Sequence, residues 1–244
     1  MSAPSADARF ADRVVLVAGG TGALGRALAV AFLDAGARVA VTYRNEAEFE
    51  ALARQAAAHA GRLEGHRVDA TDEAATRRLV DDLLARHARL DVLVNAVGGY
   101  AGGRPLWELD DAAFDRMLAL NLRSGYALAR AAVPAMTRRG SGAIVNIAAR
   151  AGVRPAAGAA VYAASKAAAL ALMDALAAEV AGSGVRVNSV LPSMIDTEAN
   201  RRAMPSADHS KWPKPEDIAR VVLFLCSDDA RLIHGTSVPV YGSG

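Results

Sequence analysis

A short glycine-rich loop constrains the fold of this chain more than any other feature of its sequence. Residues 19–25 read Gly-Gly-Thr-Gly-Ala-Leu-Gly and lie between the apolar, β-branched run Val14–Ala18 and a helical pattern that begins at Ala23. A strand, a glycine turn and a helix in this order bring backbone N–H groups together at a helix amino terminus, and the glycines permit close approach. This arrangement predicts a dinucleotide-binding site that includes Gly19, Thr21, Gly22, Ala23, Leu24 and Gly25.

The rest of the 244-residue chain alternates between short β-branched runs and longer helical patterns. This alternation predicts an α/β fold of the Rossmann type, in which a doubly wound parallel sheet carries helices on both faces. No linker-like segment divides the chain, so we expect a flexible amino-terminal segment, residues 1–12, and a single NAD(P)-binding domain, residues 13–244. Residues 112–139 are predicted to form one long helix with a bend at Pro134.

The composition excludes several classes of protein. The 28 basic and 26 acidic residues leave a formal charge of +2, which gives no long-range attraction to nucleic acid or to an anionic membrane. No uncharged stretch reaches the roughly 18–20 residues of a membrane span, and the start of the chain lacks a secretory signal. The single cysteine, Cys226, excludes an internal disulfide, and the five histidines lack the spacing of metal ligands. We therefore expect a cytoplasmic, metal-independent protein with a small-molecule partner.

The residues after the second predicted strand bear on the choice of dinucleotide. An acidic side chain there binds the ribose 2′-hydroxyl of NAD, whereas a basic one accommodates the 2′-phosphate of NADP. The sequence reads Val-Thr-Tyr-Arg-Asn over residues 41–45, with no acid before Glu46. We therefore expect Arg44 to bind the 2′-phosphate and NADP(H) to be preferred over NAD(H). Asp69, after the third predicted strand, either accepts a hydrogen bond from the adenine amino group or belongs to the start of a helix.

A tyrosine and a lysine four residues apart indicate catalysis. Tyr162 and Lys166 fall at the start of a predicted helix, so their side chains share one face of it. A nearby ammonium stabilises a tyrosinate and lowers the phenol pKa from its usual value of about 10, which lets the phenol act as an acid near neutral pH. The pair therefore predicts proton transfer beside the bound dinucleotide.

With the glycine loop and the Tyr-x-x-x-Lys pair, residues 13–244 resemble the short-chain dehydrogenase/reductase family. The resemblance implies that Tyr162 donates a proton and that Lys166 activates the tyrosine and binds the nicotinamide ribose. It also implies that Asn121 anchors a proton-relay water, and that the chain forms a homodimer or homotetramer through two long helices. The further positions that the resemblance assigns to the cofactor site are Asn95, Ile195 and Thr197.

One position departs from the family pattern. Members of the family carry a serine whose hydroxyl binds the substrate oxygen, and the corresponding position here is Ala149. Loss of such a donor costs roughly 10²–10³ in turnover, or about 3–4 kcal/mol. A plain ketone would suffer this loss in full, whereas an acceptor that needs no polarised carbonyl would not.

A narrower resemblance, to the dihydropteridine reductase branch of the family, fits an alanine at position 149. The glycine loop, the stretch Gly-Gly-Tyr-Ala-Gly-Gly at residues 98–103 and the segment at residues 191–212 are similar to that branch. Those enzymes reduce a quinonoid dihydropterin, a conjugated ring that accepts hydride without help at an oxygen. A substrate lid is expected at about residues 193–213, with pocket walls formed by Tyr100, Met194 and Trp212.

Three functions are compatible with the sequence. The first is NADPH-dependent hydride transfer to a small conjugated cyclic acceptor with Tyr162 as proton donor, although the branch commonly has an NAD-selecting acid where this chain has Tyr43 and Arg44. The second is a generic carbonyl reductase in which water or Ser193 replaces the missing hydroxyl. The third is a catalytically silent dinucleotide-binding sensor, which would have no need of an activated phenol.

Overall fold

The computed structural model of the protein describes residues 9–243. Within these residues the strands are β1 (Val14–Ala18), β2 (Arg38–Tyr43), β3 (Leu63–Arg67), β4 (Val92–Asn95), β5 (Gly142–Ile147), β6 (Val185–Pro192) and β7 (Thr236–Val240). They form one parallel sheet in the order β3-β2-β1-β4-β5-β6-β7. The order reverses between β1 and β4, because the chain returns to the middle of the sheet after β3.

Helices cover both faces of this sheet. They are α1 (Ala23–Asp34), α2 (Glu46–Gln55), α3 (Glu73–His87), α4 (Asp111–Leu118), α5 (Ser124–Arg139), α6 (Ala160–Glu179), α7 (Glu198–Ala203) and α8 (Pro215–Cys226). One core cluster joins the sheet to α1, α2 and α8, and the other joins it to α3, α5 and α6. The predicted doubly wound fold of the Rossmann type, in one domain, is thereby confirmed.

The central strands are apolar throughout because both of their faces are buried. In β1, Val15 and Val17 belong to one core cluster, whereas Val14, Leu16 and Ala18 belong to the other. None of these five side chains is more than 2% exposed. A strand that is buried on both faces therefore reads as a continuous apolar run in the sequence.

The chain is helical from Asp111 to Arg139, as predicted for residues 112–139, but one turn interrupts the α-helical pattern. Residues Ala119–Arg123 form a turn of π-helix between α4 and α5. The interruption does not lie at Pro134, which is an interior residue of α5. A π turn inserts an extra residue into a helix and often occurs at a functional site. Here it contains Asn121.

The packed part of the chain begins before residue 13. Of the expected flexible segment, residues 1–8 lie outside the described residues. Phe10 is 1% exposed, and its ring packs edge-on against Phe32 at a centroid distance of 5.0 Å. Its N–H also donates to the carbonyl of Ala35 at 2.9 Å. Burial of such a ring stabilises the fold by about 2 kcal/mol, so residues 9–12 belong to the domain.

Helix α6 is long and apolar enough to cross a membrane by length and composition alone. In the structure it packs against β6 and contributes Met173 and Ala177 to the core. Because 44% of this apolar stretch is buried, the core contacts account for part of its apolar sequence.

Candidate active site

The glycine loop makes a tight turn between β1 and α1. Gly19 has a φ of +75°, a backbone conformation that side chains rarely permit. Helix α1 starts so close to this turn that a Cβ at Gly25 would lie 2.0 Å from the carbonyl oxygen of Gly19. Gly22 is the N-cap residue and makes no side-chain cap bond, so the first N–H groups of α1 are left for water or a ligand. Leu24 is 8% exposed and packs into the core.

A cavity of about 260 Å³ opens beside this loop, at the carboxyl ends of β1, β2 and β4. Ligands of open parallel sheets bind at this edge, where the strand order reverses. The predicted cofactor residues in its wall are Gly19, Thr21, Gly22, Arg44 and Asp69. The other lining residues were not predicted to bind a cofactor and are Thr42, Tyr43, Asn45, Glu48, Val68, Ala70, Ala96, Val97, Gly98 and Leu120.

Charged side chains of both signs meet at the β2 end of this cavity. Arg44 is exposed, and its guanidinium has no ion pair within residues 9–243. The pKa of Asp69 is lowered, chiefly by the hydrogen bond from the Thr71 N–H at 2.9 Å and also by the charge of Arg44. Glu48 adds a second carboxylate, which accepts a hydrogen bond from the hydroxyl of Thr21 at 2.9 Å. Asp69 therefore both shapes the turn before α3 and lines the cavity.

Asn95, the last residue of β4, lies behind the cavity wall. It is 3% exposed, and its amide donates to Asn146 Oδ1 at 3.0 Å and accepts from the Val97 N–H at 3.2 Å. These bonds fix the backbone that leads into Ala96, Val97 and Gly98, which do line the cavity. Asn95 therefore supports the wall without lining the cavity itself, and its place in the cofactor site stays a prediction.

Helix α6 places Tyr162 and Lys166 one turn apart. The ammonium of Lys166 is buried and donates to the carbonyl of Ile147 at 2.9 Å, and burial lowers the pKa of Lys166 to about 8. Burial, with a contribution from Tyr100, raises the pKa of Tyr162 to about 12. In the protein alone burial dominates, so the net shift of the phenol pKa is upward and not the expected lowering. At neutral pH the phenol is protonated and can donate a proton.

The π turn presents Asn121 to the loop that follows β4. Its side chain is 2% exposed and binds both backbone groups of Gly99, with Oδ1 accepting from the N–H at 3.0 Å and Nδ2 donating to the carbonyl at 3.1 Å. Nδ2 also donates to Ser165 Oγ at 2.9 Å. Ser165 lies between Tyr162 and Lys166 on α6, and no motif in the sequence marks it. Asn121 therefore ties the loop after β4 to the helix that carries the pair.

Gly98 joins the dinucleotide cavity to this pair. It lines the cavity, and a Cβ at Gly98 would lie 3.2 Å from Lys166 Nζ and 3.0 Å from Asn121 Oδ1. The cavity, Lys166 and Asn121 are therefore parts of one continuous site. Close approach of the backbone explains why glycine stands at this position.

The end of β5 offers no hydroxyl beside Tyr162. Ala149 is 8% exposed and Ala148 is 4% exposed, and neither side chain can donate a hydrogen bond. The next side chain with donors is Arg150, whose guanidinium carbon lies 5.2 Å from the ring centroid of Tyr241.

The three predicted pocket walls lie in two places. Tyr100 is 65% exposed, and its ring meets that of Tyr162 edge-on at a centroid distance of 5.0 Å. Met194 and Trp212 instead line a separate cavity of about 380 Å³, together with Arg150. Tyr100 therefore stands next to the reactive phenol, whereas Met194 and Trp212 form a wall beyond the end of β5.

Residues 193–213 leave the end of β6 and return to the start of α8. The two ends of this segment are joined where the Asp196 N–H donates to the carbonyl of Pro213 at 2.9 Å. The carbonyl of Ile195 accepts from the amide of Asn200 at 2.8 Å, which fixes the first turn of the segment. The segment predicted to form a lid is thus a closed loop with its own internal bonds.

Thr197 brings this segment to the amino terminus of α1. Its hydroxyl caps α7 by accepting from the Asn200 N–H at 3.2 Å. Thr197 and Ala23 line a common cavity of about 650 Å³. A group held by the glycine loop would therefore lie within reach of this part of the segment.

Comparison with known proteins shows which family the sequence resembles over most of its length. The sequence profile described as short chain dehydrogenase matches residues 13–207. The 4-formylbenzenesulfonate dehydrogenase of Comamonas testosteroni is 36% identical over 243 residues, covering 94% of this chain and 96% of that protein. The D-threitol dehydrogenase of Mycolicibacterium smegmatis is 34% identical over 245 residues, covering 97% and 94%.

A solved structure shows the same arrangement of elements. ElxO with NADP bound superimposes with a TM-score of 0.89 at 26% identity, covering 94% of this chain and 97% of the ElxO chain. The relatives are dehydrogenases with different substrates in their names. They agree on the class of chemistry and on the fold, and they do not single out one substrate.

Proposed function

The chain belongs to the short-chain dehydrogenase family, and on that premise we propose that it is an NADP(H)-dependent oxidoreductase that transfers hydride to a small conjugated cyclic acceptor. The observation that carries this proposal is the continuity of the dinucleotide cavity with Lys166 and Asn121 through Gly98, one helical turn from Tyr162. Reduction of an acceptor consumes one hydride and one proton. The cavity would hold the hydride donor, and α6 carries the proton donor.

Arg44 at the β2 end of the cavity favours NADP(H), although the cavity wall also holds the carboxylates of Glu48 and Asp69. The guanidinium of Arg44 lies in the wall without an ion pair within residues 9–243, so it is available to a 2′-phosphate. Glu48 carries the opposite charge, but one of its oxygens is engaged by the hydroxyl of Thr21. A relative of the same fold, ElxO, has a structure with NADP bound.

The protonation states of the pair favour reduction. Because the pKa of Tyr162 is raised to about 12, the phenol holds its proton at neutral pH until a stronger base forms on the acceptor. Because the pKa of Lys166 is lowered to about 8, its charge is present at neutral pH and is lost as pH rises through that value. The ammonium, one helical turn away, would stabilise the tyrosinate that remains after proton transfer.

Ala149 favours an acceptor that needs no hydrogen bond to a carbonyl oxygen. The missing donor would cost a ketone reductase roughly 10²–10³ in turnover. A quinonoid dihydropterin spreads the incoming charge over its conjugated ring, so it avoids most of this cost. The proposed activity is therefore similar to that of dihydropteridine reductases.

A generic carbonyl reductase is the second candidate, favoured by the aldehyde in the name of the 4-formylbenzenesulfonate dehydrogenase. In that case another group must bind the carbonyl oxygen. Ser193 is poorly placed for this, because its hydroxyl already donates to the carbonyl of Tyr241 at 2.8 Å. The silent sensor is not proposed, because the family and these relatives are enzymes.

Consumption of NADPH by the purified protein separates the two candidates. We expect kcat/KM for freshly generated quinonoid dihydropterin to exceed that for neutral ketones and aromatic aldehydes by about 10²-fold. The variant Tyr162→Phe controls for direct reduction of the pterin by NADPH. Turnover confined to aldehydes or ketones would select the carbonyl reductase. Absence of turnover with all of these acceptors, while NADPH binds, would contradict both candidates.

We also infer that the protein forms a homodimer or homotetramer through α5 and α6. The outward faces of these helices enclose an apolar cavity of about 360 Å³, lined by Val133, Leu172, Leu176 and the 44% exposed Tyr126. A second copy would remove these side chains from water. Light scattering should therefore give at least twice the chain mass of 25.3 kDa, and a mass of 25.3 kDa would contradict the inference.

A further inference from the structure

A second polar cavity, of about 480 Å³, lies at the edge of the sheet opposite the active site, where β1, β4, β5 and β6 begin. Five arginines line it, and we call it the arginine cavity: Arg13, Arg89, Arg139, Arg186 and Arg231. Its wall has only two acids, Asp91 and Asp228, so its net charge is +3. His234 is also in the wall, and its Nδ1 accepts from the Val187 N–H at 3.2 Å.

Three of the arginines form ion pairs with the two aspartates. Asp91 is 6% exposed and accepts two hydrogen bonds from Arg89, both at 2.7 Å, and one from Arg139 at 2.5 Å. Burial alone would raise the pKa of Asp91, but the hydrogen bonds outweigh it and lower the pKa, so the carboxylate is ionised. Asp228 pairs with Arg13 at 2.6 Å. Because Arg89 and Arg139 share the single carboxylate of Asp91, one of their two positive charges has no counter-charge.

The other two arginines have no carboxylate partner within residues 9–243. Arg186 donates to the carbonyls of Leu225 at 2.5 Å and Ser227 at 3.0 Å, at the carboxyl end of α8. Such a helix end carries a partial charge of only about −0.5. Arg231 is exposed, and its guanidinium has neither an ion pair nor a hydrogen bond within these residues.

Neighbouring groups reduce the excess charge without removing it. Helix α5 ends at Arg139, so the ends of α5 and α8 together contribute about one negative charge. Asp12 lies outside the cavity wall and acts on Arg89. The two helix ends and Asp12 together offset about two of the three positive charges of the wall, so about one remains uncompensated. Arg231 is the arginine without a partner.

We propose that the arginine cavity binds a compact polyvalent anion of the phosphate class. Guanidinium groups bind phosphate oxygens through paired hydrogen bonds, and Ser141 adds a hydroxyl to the wall. The cavity volume is within the range of sites for small ligands. This site is separate from the dinucleotide cavity, which lies at the opposite ends of the same strands. Its occupant therefore acts as a bound effector or stabilising ion and takes no part in hydride transfer.

Calorimetric titration of the whole protein with pyrophosphate, ATP and citrate tests this proposal. Saturating NADPH or NADH is present throughout, so that the anions do not compete for the dinucleotide cavity. We expect one pyrophosphate per chain, bound about tenfold or more tightly than citrate, because pyrophosphate concentrates its charge on two adjoining phosphates, whereas citrate spreads its charge over three carboxylates on a carbon chain. If ATP binds as tightly as pyrophosphate, the occupant is a nucleotide; if it binds more weakly, the occupant is free phosphate or pyrophosphate.

The variant Arg231→Glu tests the site itself. It reverses the charge that has no partner, so it should weaken pyrophosphate binding by about tenfold or more without disturbing an ion pair. The matched control is Arg78→Glu, because Arg78 is also exposed and without an ion pair within residues 9–243 but lies on α3 outside the cavity. We expect this control to change the affinity less than about twofold. Equal binding by wild type and Arg231→Glu, no saturable binding, or tighter binding of citrate would overturn the proposal.

Discussion

Tyr162 and Lys166 show how burial sets the chemistry of single residues. Burial disfavours the charged form of each, so it raises the pKa of the phenol to about 12 and lowers that of the ammonium to about 8. The spacing of the two residues was predictable from the sequence, because a helix places them on one face. The bond from Lys166 to the Ile147 carbonyl and the bond from Asn121 to Ser165 were not predictable, because those contacts depend on how the sheet and the π turn meet α6.

The substitution Arg44→Ala tests the choice of dinucleotide. Removing the one guanidinium expected to bind the 2′-phosphate should raise the Kd of NADPH by about tenfold or more. The Kd of NADH should change by less than about twofold, because NADH lacks that phosphate. Fluorescence titration of both dinucleotides measures the two effects. Equal weakening of NADPH and NADH would remove Arg44 from this role.

The substitution Ala149→Ser tests whether the missing hydroxyl limits the range of acceptors. A new donor at this position should raise kcat/KM for simple ketones by about 10–10²-fold, somewhat below the cost of losing an established donor. The neighbouring substitution Ala148→Ser is the control, because it adds the same hydroxyl to a side chain that packs in a core cluster with Leu170 and Leu191. A flat response of Ala149→Ser across a panel of ketones would contradict the explanation.

At the scale of secondary structure, the turn between β1 and α1 and the π turn before α5 position the site. The turn between β1 and α1 was predictable, because glycines between an apolar run and a helical pattern are typical of such a turn. The π turn was not, because one extra residue in a helix leaves the apolar periodicity almost unchanged and Pro134 is a stronger local signal. The element boundaries near Asn121 therefore required the structure.

The substitution Gly25→Ala tests the contact between the turn and α1. Its Cβ would lie 2.0 Å from the Gly19 oxygen, so the helix must shift, and we expect the free energy of unfolding to fall by about 1–3 kcal/mol. The matched control is Gly22→Ala, whose Cβ would meet its nearest neighbour at 3.6 Å. Urea denaturation of the control should stay within about 0.5 kcal/mol of wild type. Equal stability of the two variants would contradict the close packing.

At the scale of the whole molecule, the two edges of the sheet differ in chemistry. The carboxyl edge holds the dinucleotide cavity and the Tyr162–Lys166 pair, and the amino edge holds Asp91 with the arginine cavity. The strand pattern predicted a ligand site at the carboxyl edge, because ligand sites of doubly wound sheets lie there. The arginine cavity at the amino edge could not be predicted, because its arginines come from distant parts of a chain that is rich in arginine.

The substitution Asp91→Asn tests how this amino edge is held together. At pH 7 it should lower the free energy of unfolding by about 2–3 kcal/mol, because Asp91 is buried while Arg89 and Arg139 are partly exposed and so partly screened. The pKa of Asp91 is lowered in the folded state, so the stabilisation is complete above the unfolded-state pKa of about 3.9.

As pH falls through the lowered pKa of Asp91, this stabilisation is lost. The difference between wild type and Asp91→Asn should therefore be constant from about pH 5 to 7 and shrink below about pH 4. Urea denaturation at several pH values measures it. A difference that stays constant down to pH 3 would contradict the ion-pair explanation.

The central claim is that Tyr162 supplies the proton while the adjoining cavity binds the dinucleotide. The most direct measurement compares kcat and the Kd of NADPH for wild type and Tyr162→Phe, on the best acceptor of the wild-type protein. We expect kcat to fall by about 10²-fold or more, because the phenyl ring has no proton to give. The Kd should change by less than about twofold, because Tyr162 does not line the dinucleotide cavity. Wild-type turnover by Tyr162→Phe with unchanged NADPH affinity would contradict the claim.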